Sequence, residues 1–133
     1  MTFPVLTAIA AGVLLLLQVW AAVGVIRLRR SLRIDIGDGG HHHVGKAIRR
    51  HGNLAENSPL WLMVFGLLEA GGLMRAVIAL LVGGFVLGRC LHLYAFSIPG
   101  AGGNWRVAGM VLTFITGAVG AILLIVTSVM KGF

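Results

Sequence analysis

Apolar residues gather in four runs along the chain, Phe3 to Ile26, Pro59 to Leu73, Ala76 to Ile98 and Val107 to Met130. A helix that crosses a bilayer needs about 20 such residues. The second run reaches that length only if it starts earlier. Ala47 to Asn57 contains no helix breaker except Gly52, so Lys46 to Glu69 reads as one helix, polar in its first half and apolar in its second. Pro59 lies inside it and predicts a kink.

The connections are short. Ile34-Asp35-Ile36-Gly37-Asp38-Gly39-Gly40 carries Asp-Gly and Gly-Gly pairs, which are strong turn signals, and reads as a surface loop. Gly71-Gly72 leaves little room between the second and third helices, and Ser97 to Asn104 ends the third and leads into the fourth. Consecutive helices are therefore expected to be antiparallel neighbours. The pattern predicts an all-α integral membrane protein, a four-helix antiparallel transmembrane bundle forming a single domain over residues 1–133.

Composition supports this reading. The 133 residues are 58% hydrophobic and 11% charged, with a mean hydropathy of +0.96, whereas soluble domains carry about 25% charged residues. The first run lacks a basic stretch before it and has Arg27-Leu28-Arg29-Arg30 after it, which marks a retained spanning helix rather than a secretion signal. A lone cysteine, Cys90, allows no internal disulfide and no cysteine-based metal site. Within an apolar run it reads as inert packing.

A net charge of +7 raises nucleic acid as a partner. However, seven of the eleven Lys and Arg residues fall between Arg27 and Arg50, beside a membrane segment, and membrane orientation explains that clustering better. An even number of crossings puts both termini on one side. The first connection and its flanks hold Arg27, Arg29, Arg30, Arg33, Lys46, Arg49 and Arg50, while only Arg75 and Lys131 lie at the opposite end. The positive-inside rule then makes the first and third connections cytoplasmic.

Ionisable side chains at membrane depth need a partner, water or a role. Arg49, Asn53 and Glu56 are spaced i, i+4 and i+7 and share one stripe of the second helix. Arg89, His92 and Phe96 form a similar stripe on the third. Arg27 closes the first helix and Arg106 opens the fourth, so four helices are expected to aim cations at one cytoplasm-facing cavity that suits a small anionic, polar ligand.

Plainer readings accompany each residue. The arginines after the first helix serve as topology signals and lipid-headgroup contacts; Arg49 with Glu56 is a structural ion pair; Arg89 snorkels; His92 is a satisfied core histidine; Tyr94 is an interfacial anchor. His41, His42 and His43 look like a metal tract but sit in a glycine-rich loop without Cys or paired carboxylates at ligand spacing, and no metal is expected.

The stretch Ala47-Ile48-Arg49-Arg50-His51-Gly52-Asn53-Leu54-Ala55-Glu56-Asn57-Ser58-Pro59 resembles the second-helix signature of the MAPEG family, the membrane-associated proteins in eicosanoid and glutathione metabolism. That signature reads approximately Arg-x-His-x-Asn-x-x-Glu-x-x-Pro, and Arg49, His51, Asn53, Glu56 and Pro59 match it. Val25-Ile26-Arg27-Leu28-Arg29 looks like the family's first-helix ending, Arg89 and His92 match its third helix, and Arg106 matches the arginine that opens its fourth. The loop Ile36 to Gly40 is more like the bacterial branch, which implies a bacterial inner membrane.

The resemblance implies a homotrimer with glutathione sites between neighbouring subunits, reached from the cytoplasm. By position, Arg27, Arg49, His51, Asn53, Glu56, Arg89 and His92 would line the glutathione site, with Asn53 and Glu56 at its amino end, and Arg106 would be the catalytic residue that stabilises the thiolate. A lipophilic electrophile or peroxide would arrive from the membrane lipids. Gly52 and Phe96 depart from the pattern: some eicosanoid-forming members have an arginine and a tyrosine there. A glutathione transferase-like membrane enzyme is therefore expected, and the alternative is a non-catalytic lipid- or partner-binding protein of the same fold. A small multidrug transporter is disfavoured because the first helix has no acid.

Overall fold

The computed structural model describes residues 2–98 and 102–132. They form four helices in order: α1 Val5–Leu32, α2 His42–Ala70, α3 Arg75–Ser97 and α4 Gly102–Gly132. Among the described residues α1, α3 and α4 are long and apolar enough to cross a membrane. The 29 residues of α2 would cover about 43 Å at 1.5 Å per residue, but its first half is polar. Large apolar side chains that remain exposed, such as Leu16, Leu80, Ile122 and Ile125, have a hydrocarbon surrounding to face in a bilayer. The chain is an integral membrane protein.

Several boundaries differ from those read in the sequence. Helix α1 does not close at Arg27 but runs on to Leu32, carrying Arg29 and Arg30 in its last turn. Helix α2 starts at His42 with His41 as its cap residue, so two of the three histidines belong to a helix rather than a loop. The His41 and His43 rings lie 5.6 Å apart. Arg106 sits in the second turn of α4 rather than at its opening. Pro99, Gly100 and Ala101 of the third connection lie outside the described residues.

Helix α2 stays continuous through Pro59. A proline cannot donate to the carbonyl four residues back. The two carbonyls just before that one gain side-chain donors instead: Asn57 Nδ2 donates to Asn53 O at 2.8 Å and Ser58 Oγ to Leu54 O at 2.7 Å.

The start of α1 has no side-chain cap of its own. Glu69, near the end of α2, supplies one: its carboxylate accepts the backbone N–H groups of Leu6 and Thr7 at 2.9 Å each and the Thr7 hydroxyl at 2.7 Å. A negative charge at a helix N-terminus is where the helix dipole favours it. The α2–α3 turn closes with Gly72 at φ 84°, and Leu73 N–H donates to Leu68 O at 3.0 Å, the glycine-dependent end typical of helices.

A cluster including Leu14, Leu54, Phe65, Ile78 and Phe85 forms the core. The Phe65 and Phe85 rings meet edge to face at 5.9 Å, and Trp61 stacks on Phe85 at 6.1 Å. Helices α3 and α4 cross closely at two glycines, since a Cβ on Gly109 would stand 2.6 Å from Gly88 O. Trp61 ties α2 to α4 by donating to Thr113 O at 2.8 Å. Among the described residues no Cα atom of α1 lies within 8 Å of one in α4, so these two helices are not packed as neighbours.

Candidate functional site

The i, i+4, i+7 stripe of α2 forms as its spacing predicts. Its deepest member, Asn53, is 7% exposed and faces α3, where Arg89 is 1% exposed. Arg89 Nη1 donates to Asn53 Oδ1 at 2.7 Å and more distantly to Asn53 O at 3.4 Å, and Nη2 donates to Met110 Sδ at 3.7 Å. Arg89 Nε is buried with no hydrogen-bond partner among the described residues. Arg89 therefore does not snorkel: it is held inside the bundle by an amide and a carbonyl.

Nearer the surface, Arg49 Nη1 lies 3.6 Å from Glu56 Oε1, with the side chains 65% and 58% exposed. At that exposure the pair contributes at most about 1 kcal/mol to the fold, so its groups remain accessible to a ligand. His92, 4% exposed, packs on Phe96 with ring centroids 4.9 Å apart. The guanidiniums of Arg89, Arg106 and Arg49 all lie within electrostatic reach of the His92 ring. Helices α2, α3 and α4 thus bring three arginines, an amide, a carboxylate and a histidine to one region.

Two further residues expected at the site lie on α1 and α2. Arg27 is exposed on α1 and His51 is half-buried on α2. Where the sequence predicts a cytoplasm-facing cavity, the single chain presents Arg49, Glu56 and Arg106 as exposed side chains. Cys90 is exposed rather than packed inside. Tyr94 meets Trp105 edge to face at 6.1 Å near the same end of the bundle.

Arg50 gained no individual role from the sequence. It places its guanidinium 4.6 Å from the centre of the Trp20 ring and donates from Nη1 to Ser97 Oγ at 3.1 Å, linking α1, α2 and α3. Its Nη2 would lie 3.1 Å from a Cβ on Gly24, so the glycine makes room for it. No local spacing announces this contact, since its partners come from two other helices.

This arrangement defines a small four-helix membrane protein with a guanidinium-rich polar face built on its second and third helices. The family model for the MAPEG family matches residues 7–126, and the chain belongs to that family. It is also similar to the inner membrane protein YecN of Escherichia coli strain K12, 32% identical over 90 residues that cover 68% of this chain and 67% of YecN. YecN of Escherichia coli O6:H1 matches to the same extent.

Proposed function

We propose that the protein is a glutathione transferase-type membrane enzyme that binds glutathione at a subunit interface of a homotrimer and presents its thiolate to an apolar electrophile or a peroxide. The observation that carries this reading is the exposed Arg49–Glu56 pair standing in front of the buried Arg89–Asn53 couple. A zwitterionic tripeptide has carboxylates for the arginines and an ammonium for Glu56. Asn53 is held in place by Arg89, so the α2 stripe is ordered before ligand arrives.

Arg106 is the thiolate-stabilising group in this reading. A thiol of ordinary acidity is mostly protonated at neutral pH, and a permanently charged guanidinium beside it favours the nucleophilic anion. The electrophile partitions from the bilayer and its atom bonds to sulfur, while the leaving group departs with the electron pair. The exposure of Arg27 near the end of α1 suits assembly: Arg27 would reach the site of a neighbouring subunit. In this reading the first and third connections face the cytoplasm, where the positive-inside rule places their arginines.

A non-catalytic lipid- or partner-binding role is the second reading, favoured by Gly52 and Phe96 at positions where some eicosanoid-forming members of the family carry an arginine and a tyrosine. Titrating the detergent-solubilised protein with glutathione separates the two. Saturable heat release with thiolate absorbance near ~240 nm, the absorbance lost but binding largely kept in Arg106→Ala, supports the enzyme. Absence of binding at millimolar glutathione, on the order of the weakest specific affinities, supports the second reading.

A further inference from the structure

A second group of guanidiniums lies at the end of α1, outside the proposed thiol site. Arg29, Arg30 and Arg33 line a cavity of about 540 Å³ together with Ile26, Ile34 and Asp35. The single ion pair among the described residues is Arg49–Glu56, so none of these three arginines is neutralised by a carboxylate in direct contact. Arg29 is anchored from below, its Nε donating to Gly37 O at 3.1 Å.

Arg33 itself is unusual. It ends α1 at φ 55° and ψ 44°, and among the described residues it is the one non-glycine residue with positive φ. Its N–H donates to Arg30 O at 3.3 Å, and Ile34 N–H donates to Arg29 O at 2.9 Å. This is the helix end that glycine ordinarily occupies, because a Cβ is strained there. Residues in such sparsely populated backbone conformations cluster at active sites and ligand clamps.

We propose that this cavity binds the phosphate of an anionic phospholipid headgroup, with an acyl chain lying along Ile26. Arginines bind phosphate oxygens through paired charge-assisted hydrogen bonds. A free anion would need the cations alone. Ile26 and Ile34 line the same space, and Ile26 is the last residue of the first apolar run, so the cavity spans the boundary between headgroup and hydrocarbon. This inference does not depend on the glutathione reading.

The test follows thermal unfolding of the full chain in dodecyl maltoside as dioleoyl phosphatidylglycerol, dioleoyl phosphatidylcholine or inorganic phosphate is added, since a ligand of the folded state raises Tm with concentration. Phosphatidylglycerol should raise Tm saturably, and the other two should not. Arg30→Gln with Arg33→Gly should weaken the apparent affinity at least about tenfold, as loss of charge-assisted contacts predicts. Glycine suits the conformation at position 33, so this variant should keep its helix content. Lys46→Gln with Arg75→Gln removes the same charge elsewhere and should keep the response. Equal responses to both lipids, saturation by phosphate alone, or an equal loss in the two double variants would each overturn the proposal.

Discussion

Arg89 and Asn53 form a buried couple, a guanidinium 1% exposed whose 2.7 Å hydrogen bond ends on an amide oxygen rather than on a carboxylate. A charge inside a membrane bundle without a counter-charge in contact depends on every acceptor it has. Asn53 supplies two of them, its side-chain oxygen and its carbonyl.

Removing the amide should therefore cost more than removing the charge. Asn53→Ala leaves the guanidinium buried with its best acceptor gone and is expected to destabilise by about 2–4 kcal/mol. Arg89→Met, similar in reach and apolar, should cost less, and the double variant should recover much of the Asn53→Ala loss. Thermal unfolding of the four proteins in one detergent measures the coupling. Additive losses would mean that the two residues act independently.

Gly52 and Phe96 can be exchanged for the arginine and tyrosine that some eicosanoid-forming members of the family carry. A Cβ on Gly52 would meet nothing closer than Glu56 Oε1 at 3.6 Å, so a side chain fits. Gly52→Arg adds a guanidinium beside Glu56, and Phe96→Tyr adds a hydroxyl next to His92. In the enzyme reading the double variant binds glutathione about tenfold tighter, the equivalent of one further net hydrogen bond. Calorimetric titration against the parent protein checks it, with Gly52→Ala as the control for backbone stiffening alone.

How much of this was legible before the structure depends on the range of each interaction. Arg49, Asn53 and Glu56 share a stripe because helical periodicity is local, and the four-helix order follows from run lengths and turn residues. The partner of Asn53 is not local: Arg89 lies on another helix, and spacing within α3 could place it on a stripe but not say that it faces inward. The same limit hid Arg50, counted in the sequence only as one of seven orienting cations, whose Trp20 and Ser97 partners lie on α1 and α3. The start of α2 at His42 was missed because a glycine-rich, histidine-rich stretch carries no apolar periodicity. The first turn forms with Val44, fully buried, as its apolar anchor.

Glu69 extends that lesson to stability. Its carboxylate holds the first turn of α1 from the far end of α2, a contact across 63 residues. Glu69→Gln keeps the shape but loses the charge that the helix dipole favours, and should cost about 1 kcal/mol. Glu69→Ala, which also leaves the Leu6 and Thr7 N–H groups without this acceptor, should cost about 2 kcal/mol. Hydrogen exchange in detergent should show the protection lost first at residues 5–8. An unchanged exchange pattern there would mean that another group holds the α1 start.

The glycines of α3 and α4 offer a contrast in which the same substitution should act with opposite signs. Gly83 has nothing within 4 Å of where a Cβ would stand, so Gly83→Ala should gain roughly 0.5–1 kcal/mol of helix stability. Gly88 and Gly109 form the closest crossing of α3 and α4. A Cβ on Gly109 would stand 2.6 Å from Gly88 O and 2.8 Å from His92 N. These are backbone atoms and cannot turn aside as a side chain could, so Gly109→Ala has to push the helices apart, at a cost of about 1–3 kcal/mol. The displacement passes directly into the site because His92 is one of the two contacts. In the enzyme reading Gly109→Ala should therefore lower both thermal stability and glutathione binding, while Gly83→Ala raises the first and leaves the second unchanged. If Gly109→Ala lowered stability alone, the α3–α4 crossing would be a structural seam that does not position the site.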